Sequence, residues 1–86
     1  MRRELTLYTR PGCHLCDVMK AVIERVIASQ DVRLAELNID LDPGLVQLYD
    51  DQVPVLMLNG RKIAKYRIDE RDLRRALEAP LTGGAR

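Results

Sequence analysis

The chain has 86 residues, room for one domain whose core buries only about 60–65% of the unfolded surface. Lys and Arg number 14 against 13 Asp and Glu, a formal charge of +1 that is too balanced for a nucleic-acid or anionic-membrane partner. With 47% hydrophobic residues, no Phe, no Trp and no apolar run long enough to span a bilayer, the composition is that of a globular fold with an aliphatic core. The charged start, Met1-Arg2-Arg3-Glu4, leads straight into a short alternating segment without an apolar h-region. No signal peptide is therefore expected, and a cytoplasmic setting is the default.

Leu5, Leu7 and Thr9 alternate with Thr6 and Tyr8, which predicts a first strand. After the loop Arg10-Pro11-Gly12, apolar residues fall at Leu15, Val18, Met19, Val22, Ile23, Val26 and Ile27, one face of a helix and a stripe read as core. Its Val and Ile content lowers intrinsic helix propensity, so packing must hold it. Ser29-Gln30-Asp31 ends it, and residues 32–39 form a second strand. A helical connection makes the two strands parallel, with a right-handed crossover. Asp42-Pro43 is an N-cap followed by proline at the first helical position, opening a short helix over Pro43–Tyr49. Asp50-Asp51 opposes the dipole at its end and predicts fraying. Residues 53–58 read as a buried strand with Pro54 near its start, where a strand tolerates proline. Asn59-Gly60 predicts a hairpin into a strand over 61–67, with Ile63 alternating against Lys62 and Ala64. Asp69 caps a last helix, Ile68 staples to Leu73, and Leu73, Ala76 and Leu77 face inward. Pro80 stops that helix, leaving a domain over 1–80 and a flexible tail at 81–86.

The chemistry concentrates in Cys13-His14-Leu15-Cys16, which holds the only two cysteines, at a strand-to-helix junction. A structural disulfide over so short a loop adds little stability. A zinc site needs four ligands, and Cys13, Cys16 and the sole histidine, His14, supply three. Redox use fits the placement. Unpaired N–H groups and the macrodipole at the helix start favour a thiolate at Cys13. Cys16 lies one turn on, on the same face, within disulfide reach. Cys13 would attack a substrate disulfide and Cys16 would resolve the mixed disulfide. Gly12 leaves the approach open and Pro11 stiffens the loop. His14 as a cation would lower the Cys13 pKa, although a helix N-terminus disfavours the cation; as a neutral residue it is an exposed polar side chain.

Three features together, Cys13-His14-Leu15-Cys16 after the first strand, Val53-Pro54 opening the third and the order β-α-β-α-β-β-α, resemble a glutaredoxin-like member of the thioredoxin superfamily. The resemblance spans about residues 4–79. It implies an α/β thioredoxin/glutaredoxin fold, a four-stranded mixed sheet flanked by three helices. It also implies a thiol–disulfide oxidoreductase that works as a monomer without an organic or metal cofactor, on a disulfide-bearing protein or small molecule. Its electrons would come from a reductase or from glutathione. Pro54 would be cis and face the cysteine pair, and Val53 would offer its N–H and C=O to an extended substrate; on pattern alone, Pro54 only opens a strand. Arg10 stands where glutaredoxins carry a basic residue supporting the thiolate and glutathione's carboxylate; on its own it is a solvated loop charge. Two departures stand out. The stretch before the last helix is Arg67-Ile68-Asp69-Glu70, not the Gly-Gly pair that anchors the γ-glutamyl end of glutathione, and His14-Leu15 replaces Pro-Tyr. Weak use of glutathione is the expectation. The competing expectation is a binding module: a dimer of this fold holding an iron–sulfur cluster through Cys13 of each chain, or a domain that only binds a partner protein.

Overall fold

A computed structural model of the protein describes residues 3–78. The elements are β1 (Arg3–Thr9), α1 (His14–Ile27), β2 (Val32–Asn38), a 3-10 turn (Ile39–Leu41), α2 (Pro43–Tyr49), β3 (Val55–Leu58), β4 (Arg61–Lys65) and α3 (Glu70–Glu78). The strands form one sheet in the order β2-β1-β3-β4, with β1 parallel to β2 and antiparallel to β3, and β3 antiparallel to β4. The four-stranded mixed sheet and the element order match expectation. The stop at Pro80, the tail at 81–86 and the domain boundary lie outside the described residues.

One face of the sheet carries the main core. Leu5, Leu7 and Leu56 from the strands meet Met19, Ile23 and Val26 of α1 and Leu73 and Leu77 of α3, all at 1% exposure or less. The stripe on α1 is narrower than its spacing suggests: Val18 is 44% exposed, because it sits at the open mouth between α1 and the start of α3. Arg25 Nε reaches Glu70 Oε2 at 2.6 Å and ties α1 to α3. Its hydrogen bond holds the Glu70 carboxyl below the ordinary carboxylate range. That contribution is therefore present at neutral pH and is lost as pH falls through the lowered value.

Strand ends differ from the sequence reading for local reasons. β2 stops at Asn38, whose Oδ1 accepts from Asp40 N–H at 2.9 Å and starts the 3-10 turn. Ile39 is fully buried there. β3 starts at Val55, after a cis Val53–Pro54 bond. β4 stops at Lys65, since Tyr66 has φ +71° and turns the chain away from the ladder. The clean alternation around Ile63 breaks at a bulge: Leu56 pairs with Ala64 but Met57 pairs with Lys62, so Ile63 is the extra residue. Ile63 and Ala64 consequently both pack on the core. Asn59 (φ +50°) and Gly60 (φ +87°) make the left-handed pair a two-residue hairpin needs.

If this packing holds the fold, Ile23→Ala should lower unfolding free energy by about 2–5 kcal/mol in urea denaturation, while Val18→Ala should change it by less than about 1 kcal/mol.

Candidate active site

The site hangs from the C-terminal end of β1. Thr9 pairs with Asn38, and Tyr8 pairs with Val55, so the strand register brings the 3-10 turn and the Val53–Pro54 bond to the loop that follows β1. In that loop Gly12 adopts φ +76°, a conformation a side chain would strain. Cys13 N–H closes the turn onto the Arg10 carbonyl at 3.3 Å. Cys13 is the N-cap of α1: its Sγ accepts from Cys16 N–H at 3.0 Å. The helix thus presents one of its free N–H groups to the Cys13 sulfur, an arrangement that favours negative charge there. Cys13 and Cys16 are joined as a disulfide with Cα atoms 5.2 Å apart. Their exposure is unequal: Cys13 is half-buried and Cys16 is 3% exposed. His14 is exposed on the first turn.

Two clefts flank the pair. One, of about 720 Å³, runs between the starts of α1 and α3 and is lined by Leu15, Val18 and Ile68 with His14, Arg67, Asp69 and Asp72. The other, of about 360 Å³, touches Cys16 from the β2 side between Thr9, Asp17, Glu36 and Asn38. At the first cleft, Asp69 Oδ1 accepts from Asp72 N–H at 2.8 Å, capping α3 as its position predicted. Ile68 packs against the core.

Arg10 does more than a loop charge. Its Nε bonds Asp40 Oδ1 at 2.8 Å, its Nη2 meets Asp50 Oδ1 at 2.7 Å, and its Nη1 donates to the Asp50 carbonyl at 2.6 Å. These hydrogen bonds, Asp40 first and then Asp50, raise the guanidinium pKa further and keep the charge fixed. The carboxylate expected to fray α2 is therefore met by a cation from the loop before Cys13, and the segment from Asp40 to Asp50 closes on one side chain. Tyr8 stacks on Tyr49 with ring centroids 5.0 Å apart and seats the helix on the other face of the sheet.

The Val53–Pro54 bond is cis, and β3 begins just after it at the sheet end that carries the cysteine loop. The Pro54 carbonyl accepts from Tyr66 N–H at 2.8 Å, while the Val53 N–H and C=O make no backbone hydrogen bond among the described residues. Tyr66 is the residue that sequence reasoning missed. Its hydroxyl also donates to the Asp51 carbonyl at 3.0 Å, so one side chain and its backbone hold both sides of the 51–54 loop. A tyrosine at a hairpin's end carries no sign of a positive φ. The partners of Arg10 were equally hidden, since Asp40 and Asp50 lie 30 and 40 residues away in sequence.

Comparison with known proteins supplies an independent line. The glutaredoxin-like domain family (DUF836) matches residues 4–78. A relative from Dictyostelium discoideum, the "Glutaredoxin-like protein YDR286C homolog", is 34% identical over 84 residues, covering 90% of this chain and 77% of its own. The solution structure of protein Ne2328 from Nitrosomonas europaea superposes with a TM-score of 0.74 at 33% identity, covering 86% of this chain and 89% of that one. A thioredoxin from Halobacterium salinarum shares the fold with a TM-score of 0.67 at 23% identity, over 88% and 72% of the two chains.

Replacing Arg10 with Ala should raise amide hydrogen exchange through Asp40–Asp50 well above that of β1 and β3, because it frees both ends of the segment at once. Exchange rates unchanged in that segment would show that Arg10 does not hold it.

Proposed function

The chain belongs to the glutaredoxin-like domain family, and on that footing we propose that it is a dithiol–disulfide oxidoreductase with Cys13 as nucleophile and Cys16 as resolving thiol. The observation that carries this reading is the unequal placement of the pair: Cys13 caps α1 and is only half-buried, while Cys16 sits buried one turn behind it. The reduced Cys13 thiolate attacks one sulfur of a substrate disulfide, forms a mixed disulfide and releases the other substrate thiolate. The Cys16 thiolate then attacks the Cys13 sulfur, expels the second substrate thiolate and leaves the Cys13–Cys16 disulfide. Two electrons pass from the dithiol to the substrate, and a donor restores the dithiol.

The open Val53 backbone groups next to cis-Pro54 suit an extended substrate chain added alongside. Arg10 serves this site as a positioning residue, with its charge directed to Asp40 and Asp50. His14 borders the groove, where it would meet substrate. No helix among the described residues is long and apolar enough to cross a membrane.

For the electron donor we infer a protein reductase in preference to glutathione. Close backbone approach by a γ-glutamyl group is hindered where Ile68 carries a branched side chain packed on the core. The N–H groups that could take its carboxylate are partly used, since Asp69 already accepts from Asp72 N–H. Asp69 and Asp72 add like charge in the same groove. Each such contact costs up to roughly 3 kcal/mol at about 5 Å and an effective dielectric of about 20, less with solvent screening.

Disulfide reduction should vanish in Cys13→Ser, and Cys16→Ser should accumulate a covalent adduct on Cys13, read by intact-mass spectrometry. Adducts on Cys16 in the reciprocal variant would reverse the roles. Alkylation of the reduced protein should proceed well below the free-thiol value of about pH 8.5. With glutathione as sole donor, kcat/KM should be at least about tenfold below that with a thioredoxin-reductase system, a ratio worth about 1.4 kcal/mol; equal values would remove the groove argument. A colourless active protein fits this reading, and a brown protein with visible absorption fits the cluster-carrying dimer in its place.

A further inference from the structure

The segment that closes on Arg10 displays apolar surface that the fold does not use. Leu41 on the 3-10 turn is 82% exposed and Leu48 on α2 is 62% exposed, with Leu37 at 43% on the strand that leads in. The inward requirements of this lobe are met by other residues: Ile39 is fully buried, and Tyr49 stacks on Tyr8. Leu41 on the 3-10 turn and Leu48 on the seven-residue helix that follows it thus offer apolar surface for a contact. Its position is informative. Both ends of the lobe return to the Arg10 guanidinium, three residues before Cys13, and its far end runs on into Val53–Pro54.

Charge decides which partner fits. From Leu34 to Gly60 the chain has no Lys or Arg, and it has Glu36, Asp40, Asp42, Asp50 and Asp51. Lys20 answers Glu36, and Arg10 answers Asp40 and Asp50. Asp42 and Asp51 form no ion pair among the described residues, so the lobe keeps a negative field around its leucines. A second copy presenting the same face would set acid against acid. A second copy presenting the arginines of α3 would make a heterologous, head-to-tail contact, which self-association in solution would reveal.

Resting on the oxidoreductase reading, we propose that this lobe is the docking surface for macromolecular substrates, and that it takes an apolar, cationic stretch of polypeptide flanking the target disulfide. Leucine-like side chains of the substrate would cover Leu41 and Leu48, its Lys or Arg would face Asp42 and Asp51, and its cysteine would be delivered to Cys13. Such complementarity acts mainly through capture, so it is sensitive to salt.

The test uses two synthetic peptides of about 12 residues, alike except that Lys in one is replaced by Glu in the other, each with Leu beside a single cysteine held as a mixed disulfide with a chromogenic thiol. Serine versions of both are titrated into the isotope-labelled oxidised protein to read binding without chemistry. The Lys peptide should shift the amides of residues 40–51 and the Glu peptide should not. The kcat/KM ratio of Lys to Glu peptide should be about tenfold or more at low salt. It should fall towards one at about 0.5 M salt, in Leu48→Ser, and separately in Asp51→Lys. A ratio near one in the wild type, shifts confined to residues outside the lobe, or self-association that protects Leu41 and Leu48 would overturn the proposal. Oxidised 2-mercaptoethanol, small and uncharged, reports the redox chemistry alone. Loss of that turnover with lobe binding retained would overturn the oxidoreductase reading and leave the docking surface standing.

Discussion

Everything at this site depends on β1 being hydrogen-bonded on both sides. As an inner strand it takes a parallel partner, β2, on one edge and an antiparallel partner, β3, on the other. That pairing puts the end of β2 and the beginning of β3 at the same end of the sheet as the cysteine loop. Leu5 and Leu7 hold the strand in place from below, fully buried against α1 and α3. A slip of one residue in either register would turn those leucines to the other face. The location of the redox pair is thus a consequence of core packing.

From that anchor the two cysteines acquire different environments although they are only one helical turn apart. Cys13 lies at the helix boundary, where unpaired N–H groups favour anionic sulfur, and Cys16, one turn on, is buried. The helix start supplies the first of these environments, and the packing of α1 on the sheet supplies the second. Arg10 then extends the organisation outward by gathering Asp40 and Asp50, so the lobe that carries Leu41 and Leu48 is fastened to the loop that carries Cys13. Tyr66 does the same on the opposite side, holding the 51–54 loop through Pro54 and Asp51 carbonyls. Two side chains, one cationic and one aromatic, thus hold the 40–50 segment and the 51–54 loop.

Much of the fold was legible in the sequence because it is written in short-range terms. The period of Met19, Ile23 and Val26, the Asp42-Pro43 start of α2, the Asn59-Gly60 turn and the Asp69 cap each use residues within a turn or two of one another. Where the reading slipped, a competing contact had intervened. Val18 follows the helical period yet faces a groove, and Ile63 follows the strand period yet falls at a bulge. Tyr66 lies beyond propensity altogether, since its positive φ is held by bonds to a distant loop.

The sequence by itself determined the element order, the strand-to-helix placement of Cys13 and Cys16, and the periods on which the aliphatic core is built. These follow from periodicity, capping and turn chemistry, which act between near neighbours. Only the tertiary structure decided that Arg10 spends its hydrogen bonds on Asp40 and Asp50, that Cys13 and Cys16 differ in burial, and that Leu41 and Leu48 remain open beside the site. The reason is physical. A guanidinium has no preferred carboxylate until folding brings some within about 3 Å, and burial belongs to the packed assembly of strands and helices, which no single segment contains.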